Sequence, residues 1–214
     1  ENCSPIHSDI YKKYLQEETL SIVISMGGAD AGNKTLRVLN SIKSIDAPLL
    51  IWVLLGEGYV HSYQNLVECV KTDSRHEIIL AKTTNSMWRI MQTCSLSVLA
   101  GGTITYESAY AGLPSINTFE AEAHLFLVRE LVERGVCFSA GYPLADSLSI
   151  INANIIHLEK NREKLLSMHH RSKGLIDELG SNRIIVEIEK FYREVFTRNI
   201  ITRPASVKQI TTTI

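Results

Sequence analysis

From residue 21 onward the chain is punctuated by short runs dominated by β-branched and apolar residues: Ser21–Ser25, Leu49–Leu54, Glu77–Leu80, Leu96–Ala100, Pro114–Thr118 and Val136–Phe138. Their apolar positions are continuous rather than alternating, which predicts strands buried on both faces. Segments of helical period separate them, at Asn33–Lys43, Tyr63–Lys71, Ser86–Gln92, Thr103–Ala111, Ala121–Glu133 and Leu144–Asn152. Strand and helix in alternation, joined by right-handed crossovers, predict an α/β fold, a doubly wound, Rossmann-like parallel sheet with helices on both faces.

Strand signals fade after about residue 140. Asn161–Leu179 and Asn182–Arg198 read as helices broken by Gly180 and covering the sheet, with Glu187, Glu189, Lys190 and Arg193 on a solvated face. The opening Glu1–Glu18 reads as a linker leading into an exposed helix. Ile200–Ile214, with Pro204 and three threonines near its end, has no core-forming period. The organisation expected is therefore a linker or leading helix over 1–18, a Rossmann-like domain over 19–198 and a loosely ordered tail over 199–214.

Composition narrows the function classes. With 214 residues, 45% of them hydrophobic and 21% charged, the chain can bury one sizeable core. A formal net charge of −1, with Lys and Arg scattered, gives no case for nucleic acid or an anionic membrane. Trp52 and Trp88 stand alone rather than in a stacking row, and read as packing residues. No apolar run reaches the roughly 20 residues of a membrane span, and the N-terminus has no signal-peptide pattern. Four widely spaced cysteines form no C-x-x-C pair, which fits a reducing cytoplasm, with Cys94 and Cys137 as core residues. The start at Glu1, without methionine, reads as a piece of a longer polypeptide.

Candidate chemistry lies at two strand ends. Val98–Ser115 runs from an apolar strand into Gly101 and Gly102, then into a hydroxyl-rich helix start at Thr103. Glycine lets backbone approach a ligand closely, and the N–H groups opening a helix favour an anion such as a diphosphate. Glu107, one turn beyond Thr103 on the same face, is placed to accept hydrogen bonds from a sugar diol. Ser21–Ser25 likewise runs into Gly27-Gly28-Ala29-Asp30, with Asn33 as the N-cap of the next helix. Neither loop is a G-x-G-x-x-G or P-loop pattern. Each residue also has a purely structural use: Thr103 as a cap, Glu107 as an acid on the helix dipole, Tyr106 as packing, the glycines as turns.

Gly27-Gly28-Ala29-Asp30 followed by Asn33 and Thr35, with Gly102-Thr103-Ile104-Thr105-Tyr106-Glu107 followed by Gly112-Leu113-Pro114-Ser115, resembles the C-terminal, donor-binding domain of GT-B nucleotide-sugar enzymes. The resemblance is closest to the UDP-sugar hydrolases of the pseudaminic acid pathway, and extends to the N-acetylglucosaminyltransferase group of peptidoglycan synthesis. Ser86-Met87 with Ile90-Met91 is similar to a further stretch of that family. It implies that Gly101, Gly102 and Thr103 hold a diphosphate, that Thr105 supports their turn and that Glu107 binds the ribose. Gly27, Gly28 and Asp30 would line the opposite wall, and backbone between Leu80 and Ser86 would frame uracil.

Two departures from that pattern matter. Where the hydrolases carry Ala-Glu-Asn-Gln, this chain reads Ala121-Glu122-Ala123-His124. Glu122 and His124 are candidate sugar contacts, but Ala123 cannot orient a water. The N-terminal domain of a GT-B enzyme, with its Gly-x-Gly-His motif, is not in the sequence.

The expected function is thus binding of UDP-sugar as a substrate, on the donor side of a glycosyltransferase or UDP-sugar hydrolase of surface-polysaccharide or sialic-acid-like sugar synthesis. Catalytic residues are not identified, and a separate N-terminal domain or partner chain would complete the cleft. The alternative is a non-catalytic Rossmann-like binding or interaction module. No cofactor or metal is expected: His169 and His170 point about 100° apart on a helix and read as a solvated face. Ser97, Ser108 and Ser115 lack the G-x-S-x-G elbow of a serine hydrolase.

Overall fold

Leu20–Ser25 (β1), Leu49–Leu55 (β2), Glu77–Lys82 (β3), Leu96–Ala100 (β4), Ser115–Thr118 (β5) and Cys137–Gly141 (β6) pair in parallel, in the order β3-β2-β1-β4-β5-β6. The structure is a computed structural model and describes residues 3–82 and 87–201, with side chains to residue 196. Ile22, Val23, Ile24, Ile51, Val53, Leu96 and Val98 are buried, as strands covered on both faces require. The helices are Ser8–Gln16 (α1), Lys34–Ile42 (α2), Tyr63–Lys71 (α3), Met87–Met91 (α4), Thr103–Ala111 (α5), Arg129–Glu133 (α6), Leu144–Lys160 (α7), Arg162–Ser172 (α8) and Gly180–Ile201 (α9). The result is a doubly wound, Rossmann-like α/β sheet with helices on both faces.

The winding reverses at β1. From it the chain steps outward to β2 and β3, returns to pair β4 with the other edge of β1, and continues to β5 and β6. In such sheets ligands bind beyond the carboxyl ends of the strands, where the order reverses.

Several element bounds differ from those predicted. Ala121–Glu133 divides into a 3-10 helix, Glu122–Val128, and α6. The helix from Leu144 runs on to Lys160 because Ile151, Ile155 and Leu158 continue its buried stripe. The segment predicted from Asn161 to Leu179 is helical only over Arg162–Ser172. Ser86 and residues 202–214 of the predicted tail lie outside the described residues.

The largest correction concerns the two ends of the first unit. The leading helix is not merely exposed: Tyr11 of α1 is fully buried, and its hydroxyl donates to the Ser95 carbonyl at 2.7 Å. Its ring stacks on His169 of α8 at 4.4 Å. His169, expected on a solvated face, is itself buried, while its neighbour His170 is exposed. The imidazole is fixed from both sides. Nδ1–H donates to the Gly112 carbonyl at 2.7 Å, and Nε2 accepts from the Ser8 hydroxyl at 2.9 Å. Ser8 in turn accepts from the Lys173 ammonium. Adjacent histidines on a helix point in different directions, so one can be core while the other is wet.

The chain divides after Ile176 into two units. Leu165 and Met168 of α8 belong to the core of the first. In the second, Asp177 pairs with Arg183 at 2.7 Å and Lys190 with Glu187 at 2.6 Å. Glu187, Glu189, Lys190 and Arg193 are exposed, as expected. The apolar side chains Ile184, Ile188 and Phe191 are exposed too. Among the described residues no helix is long and apolar enough to cross a membrane.

Burial, with the charges of Lys173 and His170, pulls the His169 pKa below its ordinary value, and burial does the same to His76. Above the unfolded-state value of about 6.5 both states are neutral; below it the unfolded chain takes up protons that the folded chain resists, so stability falls. Urea unfolding should show stability flat above about pH 7 and declining towards pH 5. His169→Gln should cost about 1–3 kcal/mol at pH 7.5 and flatten the acid decline, leaving the part due to His76. An unchanged slope would contradict the assignment.

Candidate functional site

The parallel register of β1 with β4 pairs Ile22 with Leu96 and Ser25 with Leu99. It therefore delivers both glycine turns to the same level at the carboxyl edge. They open on a cavity of about 580 Å³, within the range of small-molecule sites. Ser25, Gly27 and Gly28 line it after β1; Ala100, Gly101, Gly102, Thr103, Ile104 and Glu107 line it after β4. Gly56, Glu57 and Met87 complete the lining. Six of the ten residues singled out in the sequence thus come together: Gly27, Gly28, Gly101, Gly102, Thr103 and Glu107.

The glycines do not all serve the same purpose. A Cβ on Gly56 would lie 2.4 Å from the Gly28 carbonyl oxygen, and one on Gly101 would lie 2.0 Å from the Phe119 ring. Close packing alone demands glycine at these two positions. Gly28 and Gly102 are different: a Cβ on Gly28 meets nothing within 4 Å, and one on Gly102 meets only the Ala100 carbonyl oxygen at 4.0 Å. Gly102 has extended backbone, φ −179°, which any residue adopts. The fold needs no glycine at either point, yet both border the cavity.

Thr105 supports the second turn from below. Its backbone N–H donates to the Gly102 carbonyl at 3.0 Å, and its Oγ1 accepts from Gly102 N–H at 3.4 Å. The same hydroxyl donates to Asn117 Oδ1 at 2.8 Å, and Asn117 Nδ2 donates to Ser115 Oγ at 3.0 Å. Thr105, Ser115 and Asn117 are buried, so this polar chain is satisfied inside the protein. The N–H groups of Thr103 and Ile104, the first two of α5, have no carbonyl one turn earlier and belong to residues that line the cavity. Glu107 stands one turn further on, and its Oε2 accepts from the Trp88 indole N–H at 3.0 Å. Trp88, expected only to pack, thus has a polar role as well.

The first turn is braced differently from the sequence expectation. Asn33 occupies the N-cap position of α2 but makes no capping bond, because its backbone is left-handed, φ 47°. The cap is Asp30, whose carboxylate accepts from Lys34 N–H at 2.8 Å and Thr35 N–H at 2.9 Å. Asp30 is buried, and its carbonyl accepts from His61 Nε2 at 2.7 Å. Asn33 Oδ1 instead accepts from the Tyr59 hydroxyl at 3.3 Å, and burial, with the nearby Asp30 charge, raises the Tyr59 pKa. The buried Lys34 ammonium lies 2.6 Å from Glu120 Oε1, an ion pair by distance whose angles fall short of a hydrogen bond.

Glu122 and His124 are exposed in the 3-10 helix and are not among the residues lining the cavity. Leu80 lies in β3, but residues 83–86 of the stretch expected to frame a base lie outside the described residues. Sequence reasoning missed Gly56, Glu57, Trp88 and Asn117. The Gly56-Glu57-Gly58 turn after an apolar run was a readable signal of the kind already used for the other two turns; the Trp88–Glu107 contact had none. Burial pushes the Cys94 and Cys137 thiols up to about 12, as suits core residues. Among the described residues no group of three or more His, Cys, Asp or Glu could hold a metal ion. A second concavity of about 420 Å³ lies at the amino ends of the strands, around Leu49, Leu50 and Glu77. It has neither a glycine turn nor a helix N-terminus, and we place the candidate site at the carboxyl edge.

The fold is that of a GT-B glycosyltransferase domain: MurG from Acinetobacter baumannii superposes with a TM-score of 0.68 at 18% identity, over 85% of this chain and 53% of MurG. The chain belongs to the DUF354 family, described as proteins of unknown function, whose model matches residues 66–190. It is 19% identical over 183 residues to the spore coat polysaccharide biosynthesis protein SpsG of Bacillus subtilis, covering 84% of this chain and 53% of SpsG. An uncharacterized protein of Methanocaldococcus jannaschii, MJ1062, is 25% identical over 118 residues, 55% of this chain and 24% of the relative. The chain spans about half the length of SpsG and MurG, and a quarter of MJ1062.

The glycine geometry makes a sharp prediction. Gly28→Ala and Gly102→Ala should change unfolding free energy by less than about 1 kcal/mol, whereas Gly56→Ala and Gly101→Ala should each cost about 1–3 kcal/mol through overpacking. Urea denaturation of the four variants measures this. Equal losses at all four positions would contradict a cavity kept open at Gly28 and Gly102.

Proposed function

We propose that the chain is the donor-binding half of a GT-B nucleotide-sugar enzyme, holding the diphosphate and ribose of a UDP-sugar in the cavity beyond β1 and β4. The observation that carries this reading is the pair Gly28 and Gly102. Neither is needed by the fold, and each leaves backbone bare at the cavity. A diphosphate fits that space: the N–H groups of Thr103 and Ile104 at the α5 N-terminus would supply donors and partial positive charge without a lysine or arginine. The Glu107 carboxylate lies one turn deeper along α5, where it would accept from the ribose hydroxyls. The likeness to MurG and to the polysaccharide-synthesis protein SpsG supports the class of substrate.

Asp30, in this reading, acts by holding the first turn rather than by touching ligand, since both its carboxylate oxygens serve the α2 N-terminus. Glu122 and His124 would meet the sugar only when a ligand or a second body brings the 3-10 helix to the cavity. Chemistry at the anomeric carbon needs a base or an acceptor opposite the leaving diphosphate. We assign that to a second domain or partner chain facing the cavity. Ala123, at the place of the hydrolases' asparagine, favours transfer or binding over hydrolysis of their substrate by their route.

UDP at about 1 mM should raise the Tm by roughly 3–6 °C if its Kd lies near about 0.1 mM. Glu107→Ala should remove most of that shift, and UMP should give less of it. Differential scanning fluorimetry checks this; no shift with UDP at several millimolar would sink the proposal.

A further inference from the structure

Trp88 raises a question that packing does not answer. Its ring is 5% exposed and belongs to the core, which accounts for the burial of its carbons. Burial does not dictate where the indole N–H points. That donor reaches across from α4 to α5 and meets Glu107 Oε2 at 3.0 Å. The acceptor is an exposed side chain at the cavity, not a buried carbonyl.

An exposed glutamate on a helix ordinarily samples several rotamers, and a ligand that uses it must freeze them. A charge-assisted N–H···O bond from a fixed ring freezes them beforehand. The carboxylate has about four lone-pair sites on its two oxygens, so one bond from the indole leaves room for two more hydroxyl donors. Trp88 immediately follows Met87, which lines the same cavity, so the anchor and the cavity wall come from one short helix.

We propose that Trp88 is a positioning residue of the nucleotide site: its indole N–H holds the Glu107 carboxylate in the orientation that accepts both hydroxyls of a vicinal diol on the ligand. This rests on reading the cavity as a nucleoside-diphosphate site. It predicts that the contribution of Trp88 to binding passes through the diol and through Glu107. A residue that merely shaped the pocket would affect every ligand alike.

Calorimetric titration with UDP and with its 2′,3′-dideoxy analogue separates the two. Trp88→Phe should raise the Kd for UDP about three- to tenfold while changing that for the dideoxy analogue by less than about twofold. In a Glu107→Ala background Trp88→Phe should have no further effect on UDP. A Trp88→Phe protein that binds UDP as the wild type does, or that loses both ligands equally, overturns the proposal. Should Trp88→Phe fail to fold, the indole Hε1 resonances of the native chain give the answer instead. Saturating UDP and, separately, Glu107→Ala should each move the Trp88 resonance and leave that of Trp52 in place; a Trp88 resonance that stays put under both overturns it. If the wild-type chain binds no UDP at all, the reading of the cavity fails first and this proposal with it.

Discussion

The pairing of β1 with β4 is the contact on which the rest depends. It joins residues more than seventy positions apart, from Ile22 with Leu96 to Ser25 with Leu99, at the point where the winding of the sheet reverses. Burial of Ile22, Val23, Ile24, Leu96, Val98 and Leu99 drives it, because these side chains have no other way to leave water. A parallel register then leaves little choice about the turns. A one-residue slip would turn every side chain of the strand to the other face, so the two glycine pairs are held level as firmly as the core is packed.

Around that pairing, each turn is held by groups that are themselves satisfied. Asp30 caps α2 below the first turn, and the Thr105–Asn117–Ser115 chain lies below the second. The Gly56 turn packs so closely on Gly28 that no side chain fits between them. On the proposed reading, rigid support of this kind would let backbone N–H groups serve as a preformed anion cradle, since nothing would need to be ordered when a ligand arrives. Glu107, exposed at the cavity, is held in place by its bond to Trp88.

Much of this was legible in the sequence, for a physical reason. Strands buried on both faces must be continuously apolar, so β1, β2 and β4 stood out to within a residue; Tyr63–Lys71 and Thr103–Ala111 were read at their observed bounds. The two glycine turns were visible because a strand that stops at Gly-Gly before a helix is a local pattern. What was not legible depends on contacts between distant residues or on a single backbone angle. His169 is buried because Tyr11 and Ser8 cover it from the other end of the unit, and no local pattern distinguishes it from His170. Asn33 looks like a cap in sequence, but its left-handed backbone passes that role to Asp30. Sequence also could not separate glycines the fold demands from those it does not, which is the distinction that defines the site.

The central claim is that the open space at Gly28 and Gly102 is a diphosphate site, and a crystal structure of the chain soaked with UDP tests it most directly. The account predicts diphosphate density against the backbone of Gly28 and Gly102 at the N-terminus of α5, with the ribose hydroxyls on Glu107. UDP bound at the amino-terminal concavity around Leu49 and Glu77, or a cavity left empty at ligand concentrations that shift the Tm, would contradict it.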